Sequence, residues 1–476
     1  MTIPRQDTAP PQTKARLFGT DGVRGVAGDL LSAELALALG RAATAHTGAA
    51  RARVLIVRDT RESGEMLQSA LAAGVSAAGG EALLGGVLPT PAAPLLIKRY
   101  GFDLAAVISA SHNPYRDNGI KFFAADGFKL SDAVEEEIEA GLGEAAIPVV
   151  TPAGARPSGT ESVEGRNGHA HPAKTGSIGR VRELRGAHED YLRELQTRFA
   201  DLRLDGRDIA IDCANGATYE VAPEIMRRLG ARVTVIAAQP DGRNINADCG
   251  STHVERLGEA VRAGGHELGF AFDGDGDRVL AVDRHGVVVD GDELIALAAL
   301  DLRERGRLLG DGVVVTVMTN YGFHAAMRQA GIEVATTAVG DRYVLERLRE
   351  SGWALGGEQS GHIIDMAFNS TGDGIASALL TLEALGERDL AERDAMAKLP
   401  QRLVNVRVRD RGALAQAHEV GEAVRAEDEA LSGRGRVLVR PSGTEPLVRV
   451  MVEAPSDEEA DAVCSRLVEL VQRELA

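Results

Sequence analysis

The sequence has few cysteines, no long apolar run and no excess of positive charge, and each absence excludes a class of protein. Its three cysteines, Cys213, Cys249 and Cys464, are odd in number and far apart, which predicts a reducing compartment and no disulfide framework. No apolar run approaches the roughly 18 residues of a membrane-spanning helix. The net charge of −17 argues against a nucleic-acid or anionic-membrane surface, because both need a basic patch. We therefore expect a cytoplasmic protein with neither nucleic acid nor a membrane as its partner.

The composition that remains is that of an ordinary globular chain, with 44% hydrophobic and 26% charged residues. Since 476 residues are too many for one hydrophobic core, we expect about three or four domains. The polar segment 1–13 lacks the apolar core of a signal peptide and is expected to be a disordered lead-in. Segment 151–179 is rich in Gly, Ser, Thr, Pro and His without periodicity, which predicts a flexible insertion or linker.

Short apolar runs alternate with helical stretches along most of the chain. The run at 54–57, for example, precedes an Ala-rich helical stretch at 66–78 and a further strand at 81–87. Such alternation is typical of α/β domains. In the last unit, from about residue 400, strands and helices also alternate, and the final helix is predicted to bury Cys464.

The most informative stretch of the first unit is a polar turn that follows a predicted buried strand at 104–108. The turn, SASHNP at 109–114, places hydroxyl, imidazole and amide groups at the carboxyl end of that strand, where open α/β sheets bind ligands. Pro114 ends regular structure and restricts Asn113 to extended or turn geometry. Ser111 is therefore on a stiff turn, a good position for a nucleophile. On its own, the turn fits an ordinary polar connection equally well.

Two further segments of this unit carry cations. LFGTDGVRG at 17–25 has backbone free to curl round an anion with Arg24 at the turn, although a Gly-rich hairpin explains it better on its own. Asn118-Gly119 predicts a hairpin turn that folds a strand carrying Lys121 back towards the serine turn. Between apolar neighbours, Lys121 would be partly buried, where the pKa of its ammonium can fall and it can shuttle protons.

The second informative stretch is FDGDGDR at 272–278, whose first residue is the last one of an apolar run at 269–272. Asp273, Asp275 and Asp277 alternate with glycines, so the backbone can bend until the three carboxylates converge. Three adjacent carboxylates repel one another strongly unless a divalent cation neutralises them. Oxygen ligands select a hard ion such as Mg²⁺. The alternative is an acidic turn.

A polar Gly-rich loop follows the predicted strand at 353–357. In an extended segment Glu358, Ser360 and His362 would share one side and present a carboxylate, a hydroxyl and an imidazole to a polyol. A hairpin tip explains the same residues.

The last unit contains RPSGTEP at 440–446. This loop offers a guanidinium, two hydroxyls and Gly-freed backbone amides, which suit a phosphate monoester better than a plain turn. Arg449, one strand further on, could reach the same anion.

Together these stretches favour phosphoryl transfer at one cleft, to which each unit contributes one wall. That reaction needs a metal and cations to stabilise oxygens, an in-line acceptor and strict positioning. A phosphoryl group on Ser111 would add about −1.5 to −2 charge and complete the ligands of the metal. With a separate anchor for a second phosphate, a sugar phosphate could donate and accept at either end.

The four loops resemble the signature loops of the α-D-phosphohexomutase superfamily, in the same order. The resemblance runs from Phe18 to the final helix. Within the superfamily the chain is most similar to the bacterial branch that acts on glucosamine phosphates. The segments that carry this closer likeness are GTDGVRG at 19–25, NGIKFF at 118–123, NIN with CGSTH between 244 and 253, and GEQSGH at 357–362.

The resemblance implies interconversion of glucosamine 6-phosphate and glucosamine 1-phosphate, on the way to UDP-N-acetylglucosamine and the cell wall. Phosphorylated Ser111 would give its phosphoryl group to the sugar, and the bisphosphorylated hexosamine, which serves as intermediate and activator, would return the other one. Lys121 would be the general acid and base, and Arg24 and His112 would steady the transferring group. One Mg²⁺ per site would be held by Asp273, Asp275, Asp277 and Ser111. The implied substrate-binding residues are Arg278, Glu358, Ser360, His362, Arg440, Ser442, Gly443, Thr444 and Arg449.

The implied fold is three related α/β domains with mixed sheets around a central cleft, plus a smaller C-terminal α+β domain. We place the domains at 1–182, 183–289, 290–398 and 399–476, with the 151–179 insertion outside the cleft. A monomer or a homodimer is expected.

Three other functions fit parts of the pattern. One is a phosphoglucomutase or phosphomannomutase of the same superfamily, and another is a phosphatase that hydrolyses the phosphoserine. A sugar-phosphate binding protein without activity is the third, but the intact Ser111 and acidic cluster argue against it.

Overall fold

The computed structural model describes residues 16–19, 21–142, 178–442 and 446–475. The predicted lead-in at 1–13 and residues 151–177 of the predicted insertion lie outside the described residues. The chain divides into two compact units. The first runs to Glu194 and includes 215–219 and 239–247; the second contains the remainder.

The first unit is built on a six-stranded mixed sheet with the order β1-β5-β4-β2-β3-β6. Strand β4 is buried along its whole length and pairs in parallel with β2 and antiparallel with β5. The strands are β1 (Val23–Val26), β2 (Arg53–Arg58), β3 (Glu81–Val87), β4 (Leu104–Ile108), β5 (Asp117–Ala124) and β6 (Arg180–Glu183). The helices are α1 (Ala33–His46), α2 (Ser63–Ala77), α3 (Ala92–Tyr100) and α4 (Asp132–Ala140), and α5 (Ala187–Arg198) contains the division between the units.

The second unit contains three smaller sheets, with strand orders β11-β10-β9-β7-β8, β13-β12-β14-β15 and β16-β18-β17. The first consists of β7 (Asp208–Asp212), β8 (Arg232–Ile236), β9 (Leu268–Phe272), β10 (Val279–Asp283) and β11 (Val288–Val289), with helices α6 (Val221–Arg228) and α7 (Glu255–Gly264). The second consists of β12 (Gly312–Thr316), β13 (Glu333–Thr337), β14 (Leu355–Gly357) and β15 (Ile363–Asp365), with α8 (Gly291–Glu304), α9 (Tyr321–Gln329), α10 (Asp341–Ser351) and α11 (Gly374–Leu385). The third consists of β16 (Gln401–Arg407), β17 (Arg436–Pro441) and β18 (Leu447–Glu453), with α12 (His418–Ala430) and α13 (Asp457–Leu475).

The predicted fold class is confirmed. The first three sheets mix parallel and antiparallel pairs, whereas both ladders of the C-terminal sheet are antiparallel, as in an α+β domain. Cys464 is buried in the core of that domain, as predicted. The predicted limit at 182/183 falls inside β6, which pairs with β3 of the first sheet. In the described ranges, no helix combines the length and the apolar character that crossing a membrane requires.

One predicted turn is wrong. Asn118 and Gly119 lie inside β5, and the chain reverses earlier, where the Asp117 N–H donates to the Pro114 carbonyl over 3.1 Å. Glycine is needed at 119 for packing, since a methyl group there would lie 2.5 Å from the Ser109 carbonyl oxygen. The expected outcome still holds, because β5 does return Lys121 alongside β4.

A buried carboxylate in the second unit makes stability depend on pH. Burial, followed by the neighbouring charge of Asp290, raises the pKa of Asp292 to about 7, although the Asn320 N–H donates to this carboxylate over 2.8 Å. The unfolded carboxyl ionises near pH 4, so between there and pH 7 the folded chain binds more protons. Its contribution to stability therefore falls as pH rises through this window.

We expect Asp292→Asn to remove that dependence. An amide oxygen can still accept from Asn320, and no charge has to be buried. The gain in urea midpoint over wild type should be small near about pH 4 and grow to the equivalent of a few kcal/mol by about pH 8. A difference between the two proteins that stays constant over this range would contradict the assignment.

Candidate active site

Ser111 lies in a strained turn at the carboxyl end of β4. Its φ is 51°, in the left-handed region that residues with a side chain seldom adopt, and the residue is 2% exposed. Its N–H donates to the Ser109 hydroxyl over 2.9 Å, and its own Oγ lies 3.3 Å from Nδ1 of His112. The structure therefore places the predicted nucleophile on a stiff turn, beside the predicted histidine.

A buried ion pair that sequence analysis did not assign supports this turn. The Ser109 hydroxyl donates to Asp59 over 2.6 Å, and Asp59 pairs with Arg61 at 2.8 Å. Both side chains of the pair are completely buried. Burial raises the pKa of Asp59, although the Arg61 charge and the Ser109 hydrogen bond oppose the rise. The available signal was polar residues at the end of β2, in the same sheet as the serine turn.

Three cations surround one carboxylate near the start of the unit. Arg24 pairs with Asp21, the Lys129 ammonium donates to it over 2.6 Å, and Nζ of Lys121 lies 3.6 Å from it. Burial would raise the pKa of Asp21, but the charges of Lys121, Lys129 and Arg24 outweigh it and hold that pKa well below its usual range. Asp21 therefore stays ionised and fixes the predicted cations.

Strand register brings these cations to the same sheet edge as the serine turn. Arg24 of β1 lies opposite Gly119 of β5, whose carbonyl accepts a 3.0 Å hydrogen bond from the Ser109 N–H. Lys121 follows two residues after Gly119 and so lies on the same face of β5. The missing side chain of Gly119 lets the three strands meet here.

In the second unit, the acidic triplet forms the tight hairpin between β9 and β10. The Gly276 N–H donates to the Asp273 carbonyl over 3.1 Å, and the Arg278 N–H donates to the Asp273 carboxylate over 3.1 Å. Asp273, Asp275 and Asp277 are at most 5% exposed, and their ligand oxygens lie within 4.8 Å of one another.

This donor set fits a hard divalent cation. Three buried carboxylates at such distances repel one another in a region of low dielectric constant, and a bound cation would relieve that repulsion. All-oxygen ligation favours magnesium-like ions over softer metals. Among the described residues, these three aspartates are the one group of three or more His, Cys, Asp or Glu side chains whose ligand atoms lie close enough together to hold a metal ion.

The polar loop at 358–362 turns as a hairpin between β14 and β15, so its three predicted side chains do not form one row. Glu358 is half-buried and accepts a 3.0 Å hydrogen bond from the Gly340 N–H, while Ser360 is exposed. The loop packs directly on the acidic hairpin, because a methyl group at Gly361 would lie 2.1 Å from the Val279 carbonyl.

His362 lies on the inner side of that loop. It is 2% exposed, its Nε2 accepts from the Gly372 N–H over 3.2 Å, and its Nδ1 lies 3.6 Å from Asp277. Since Nε2 accepts, the neutral ring carries its proton on Nδ1, towards Asp277. The structure thus places His362 against the acidic hairpin, where it can orient Asp277.

Arg278 lies between the two loops. Burial lowers its pKa, but the charges of Asp277, Asp273 and Glu358 more than compensate, so the pKa is raised overall. Its Nε is buried without a hydrogen-bond partner among the described residues. A guanidinium in this position can bind an oxygen-rich ligand.

Two arginines face each other in the C-terminal domain. Arg440 and Arg449 are directly opposite in the β17–β18 register, an arrangement that like charges disfavour. Burial, followed by the charge of Arg449, lowers the pKa of Arg440. Nε of Arg449 is buried without a hydrogen-bond partner in the described parts of the chain. An anion would relieve both costs.

The adjoining loop is described only in part. Ser442 is buried, and its N–H donates to the Leu447 carbonyl over 2.8 Å. Gly443 and Thr444, which were also predicted to bind phosphate, lie outside the described residues.

Comparison with protein families accounts for nearly the whole chain. Models described as phosphoglucomutase/phosphomannomutase alpha/beta/alpha domains I, II and III match residues 15–146, 189–286 and 290–403. The model of the family's C-terminal domain matches residues 403–470.

Curated relatives named phosphoglucosamine mutase match the chain closely. The protein of Heliobacterium modesticaldum is 49% identical over 465 residues, which cover 96% of this chain and 99% of the relative. That of Desulforudis audaxviator is 50% identical, with coverage of 96% and 97%. That of Mycobacterium marinum is 49% identical, with coverage of 96% and 99%.

Solved structures share the fold at lower identity. A phosphoglucomutase/phosphomannomutase family protein from Burkholderia thailandensis is 23% identical with a TM-score of 0.76, covering 96% of this chain and 97% of its own. The Aspergillus fumigatus N-acetylphosphoglucosamine mutase, solved with GlcNAc-6P and magnesium, is 17% identical with a TM-score of 0.64 and coverage of 98% and 97%. The chain belongs to the phosphoglucomutase/phosphomannomutase family of α-D-phosphohexomutases.

Proposed function

We propose that the chain interconverts glucosamine 6-phosphate and glucosamine 1-phosphate, for UDP-N-acetylglucosamine and cell-wall synthesis. The observation that carries this proposal is the near-50% identity, over almost the full length of both chains, to relatives named phosphoglucosamine mutase. Family membership supports the reaction class, and these relatives support the amino sugar as substrate.

Ser111 carries the transferred phosphoryl group in this proposal. In the first half-reaction the bond between phosphorus and Oγ of Ser111 breaks, and a bond from phosphorus to the sugar hydroxyl forms. The proton of that hydroxyl leaves, and Oγ is protonated. The second half-reaction reverses these events with the phosphoryl group at the other end of the bisphosphorylated sugar. This sugar also serves as activator, because it can phosphorylate an empty Ser111.

Lys121 is our candidate for the proton transfers. Its ammonium is held beside the ionised Asp21, and a charged ammonium can protonate the departing oxygen and later accept the proton back. Arg24, bound to the same carboxylate, and His112, beside the Ser111 hydroxyl, would stabilise the charge on the transferring group.

The acidic hairpin is our candidate for the magnesium site. Asp273, Asp275 and Asp277 would hold Mg²⁺ together with phosphorylated Ser111, one ion per site. When bound, Mg²⁺ withdraws negative charge from the phosphoryl oxygens during transfer. Glu358 and Ser360 would bind sugar hydroxyls, and Arg278 and His362 would be further substrate-binding residues beside them.

The facing arginines are our candidate for the phosphate that does not react. Arg440 and Arg449, with Ser442, Gly443 and Thr444, would bind either end of the sugar in turn. The unrelieved repulsion of the arginine pair supports this role, because a dianion neutralises both guanidinium groups.

We expect Arg440→Gln to raise KM for the sugar phosphate about ten- to hundredfold and to change kcat less, since it removes charge-assisted hydrogen bonds to the anchored phosphate. Without ligand, the variant should be at least as stable as wild type, because one of two facing charges is gone. Inorganic phosphate should raise the unfolding temperature of wild type more than that of the variant.

Arg466→Gln is a suitable control. Arg466 is an exposed arginine of the same domain that pairs with Glu427 at 2.8 Å, and its loss should leave KM unchanged. If wild type and Arg440→Gln respond equally to phosphate and have equal KM values, this loop does not bind the phosphate that does not react.

The substrate assignment is tested by kcat/KM on glucosamine, glucose and mannose 1-phosphates, with Mg²⁺ and a bisphosphate activator present. We expect glucosamine 1-phosphate to be preferred at least about tenfold. A preference for mannose or glucose would make the chain a phosphomannomutase or phosphoglucomutase instead. Release of free phosphate without isomerisation would indicate a phosphatase.

Three further assignments belong to this proposal. The chain has three cysteines and all of them are buried, which suits a reducing compartment, and we place the protein in the cytoplasm. We retain the four predicted domains and the limits at 289/290 and 398/399, and we move the first limit from 182/183 to a point after β6, because β6 pairs with β3 of the first sheet. We also retain a monomer or homodimer with a sugar phosphate as its small-molecule partner.

A further inference from the structure

Two buried side chains, neither of them a proposed reacting group, donate to the same two carbonyls of the serine turn. Nη2 of Arg61 lies 2.9 Å from the carbonyl oxygens of both Ser111 and Asn113. Nδ2 of Asn246 lies 2.9 Å from the first and 3.2 Å from the second. Arg61 is 0% and Asn246 8% exposed. Each carbonyl thus uses both of its lone pairs on these donors.

Each donor is itself held in place. Arg61 also donates to the Asp117 carbonyl over 2.9 Å, to the Pro114 carbonyl, and through Nε to Asp59. Its guanidinium therefore holds several points of the turn between β4 and β5.

Asn246 comes from a segment distant in sequence. Its own φ is 57°, which asparagine tolerates better than most residues. The segment is tied to the start of α2, where the Glu62 N–H donates to the Gly242 carbonyl over 2.9 Å and Arg243 pairs with Glu62 at 2.8 Å.

These bonds act on the part of the turn that sets the direction of the reactive hydroxyl. A left-handed φ at Ser111 is unfavourable for a residue with a side chain and persists only where the surroundings enforce it. Two donors on the Ser111 carbonyl fix the plane of the peptide between Ser111 and His112. That plane, with the hydrogen bond from the Ser111 N–H to Ser109, determines where Cβ points and so limits the positions that Oγ can reach.

We infer that Asn246, together with Arg61, is a positioning residue that holds the Ser111 turn in the conformation from which its hydroxyl exchanges the phosphoryl group. The inference rests on the proposed function of Ser111. Residues outside the four signature loops would then contribute to the rate of phosphoryl transfer. The reason is that misplacement of a reacting atom by about 1 Å can slow a reaction about a hundredfold.

The test compares Asn246→Gly and Asn246→Asp with wild type. Glycine keeps the left-handed backbone at 246 and deletes the donor, whereas aspartate keeps the shape and replaces the donor by an acceptor. Both should lower kcat, and the single-turnover rate of phosphoryl transfer from Ser111 to glucosamine 1-phosphate, by about ten- to hundredfold. KM for the sugar phosphate should not change, because neither variant alters a proposed sugar or phosphate ligand.

Asn244→Ala is the matched control. Asn244 lies in the same segment, is half-buried, and donates through its side chain to the Gln239 carbonyl over 2.9 Å. Its loss perturbs the segment without removing a donor to the serine turn, so kcat should stay at the wild-type value.

Slow transfer in both Asn246 variants, with unchanged KM and normal unfolding temperatures, would support the inference. Wild-type transfer rates in Asn246→Gly, or rescue of activity by Asn246→Asp, would overturn it. Should glycine prevent folding, the aspartate variant alone decides between these results. Absence of a phosphoryl group from wild-type Ser111 in the same assay would instead refute the proposed function, so the two failures are distinguishable.

Discussion

Ser111→Ala is expected to abolish mutase turnover and to leave the fold intact. The substitution deletes the one atom that is proposed to carry the phosphoryl group, so kcat should fall at least about 10⁴-fold. The fold should tolerate it, because the hydrogen bonds that hold the turn use the backbone N–H and carbonyl of Ser111. Turnover and thermal unfolding of the same preparation test both halves of this expectation.

Ser32→Ala is the control, and it should lower stability while leaving activity unchanged. Ser32 caps α1 in the same unit and accepts from the Leu35 N–H over 3.3 Å, so its loss should cost about 1 kcal/mol of stability and no activity. Turnover by Ser111→Ala within about tenfold of wild type would exclude a phosphoserine mechanism at this residue.

Asp275→Asn is expected to lose metal affinity and, with it, most of the activity. Removing one of three carboxylates should weaken Mg²⁺ binding about a hundredfold or more and lower kcat by about 10²–10³-fold at moderate Mg²⁺. In the absence of metal the variant should be as stable as wild type or more stable, since one of three mutually repelling charges is gone. Titration calorimetry with Mg²⁺ and unfolding with and without Mg²⁺ measure these effects.

Asp301→Asn is the control, because it removes an acidic residue of the second unit that is not a proposed metal ligand. Asp301 is paired with Arg305 at 2.8 Å and lies on α8 outside the acidic hairpin. Its replacement should leave Mg²⁺ affinity unchanged. Equal Mg²⁺ binding by wild type and Asp275→Asn would show that the acidic hairpin is not the metal site.

The features that sequence predicted best depend on local chemistry. A buried strand that runs into SASHNP predicts both a strand and a polar turn at its carboxyl end, and the structure shows both. Aspartates that alternate with glycines converge because each glycine permits the bend, whatever the rest of the chain does. The burial of Cys464 likewise depends on local sequence, because it lies on the apolar face of its own helix.

The features that sequence did not predict depend on contacts between distant segments. Asn246 meets Ser111 across 135 positions of the chain, and no local pattern marks that meeting. Gly119 looked like a turn residue, but the close approach of Ser109 is what requires it. His362 is predicted to share one side with Glu358 in an extended segment, yet the chain turns back on itself there, with the Glu358 N–H donating to the His362 carbonyl over 3.0 Å. The His362 ring consequently lies 3.6 Å from Asp277.

The claim that matters most is that Ser111 accepts and returns a phosphoryl group. Incubation of the dephosphorylated protein with glucose 1,6-bisphosphate, followed by intact-mass measurement and peptide mapping, tests it directly. We expect wild type to gain the mass of one phosphoryl group on the peptide that contains Ser111 and to lose it again on addition of glucosamine 1-phosphate. A phosphoryl group that never loads, that maps to another residue, or that stays on the protein when the sugar phosphate is added would contradict the account.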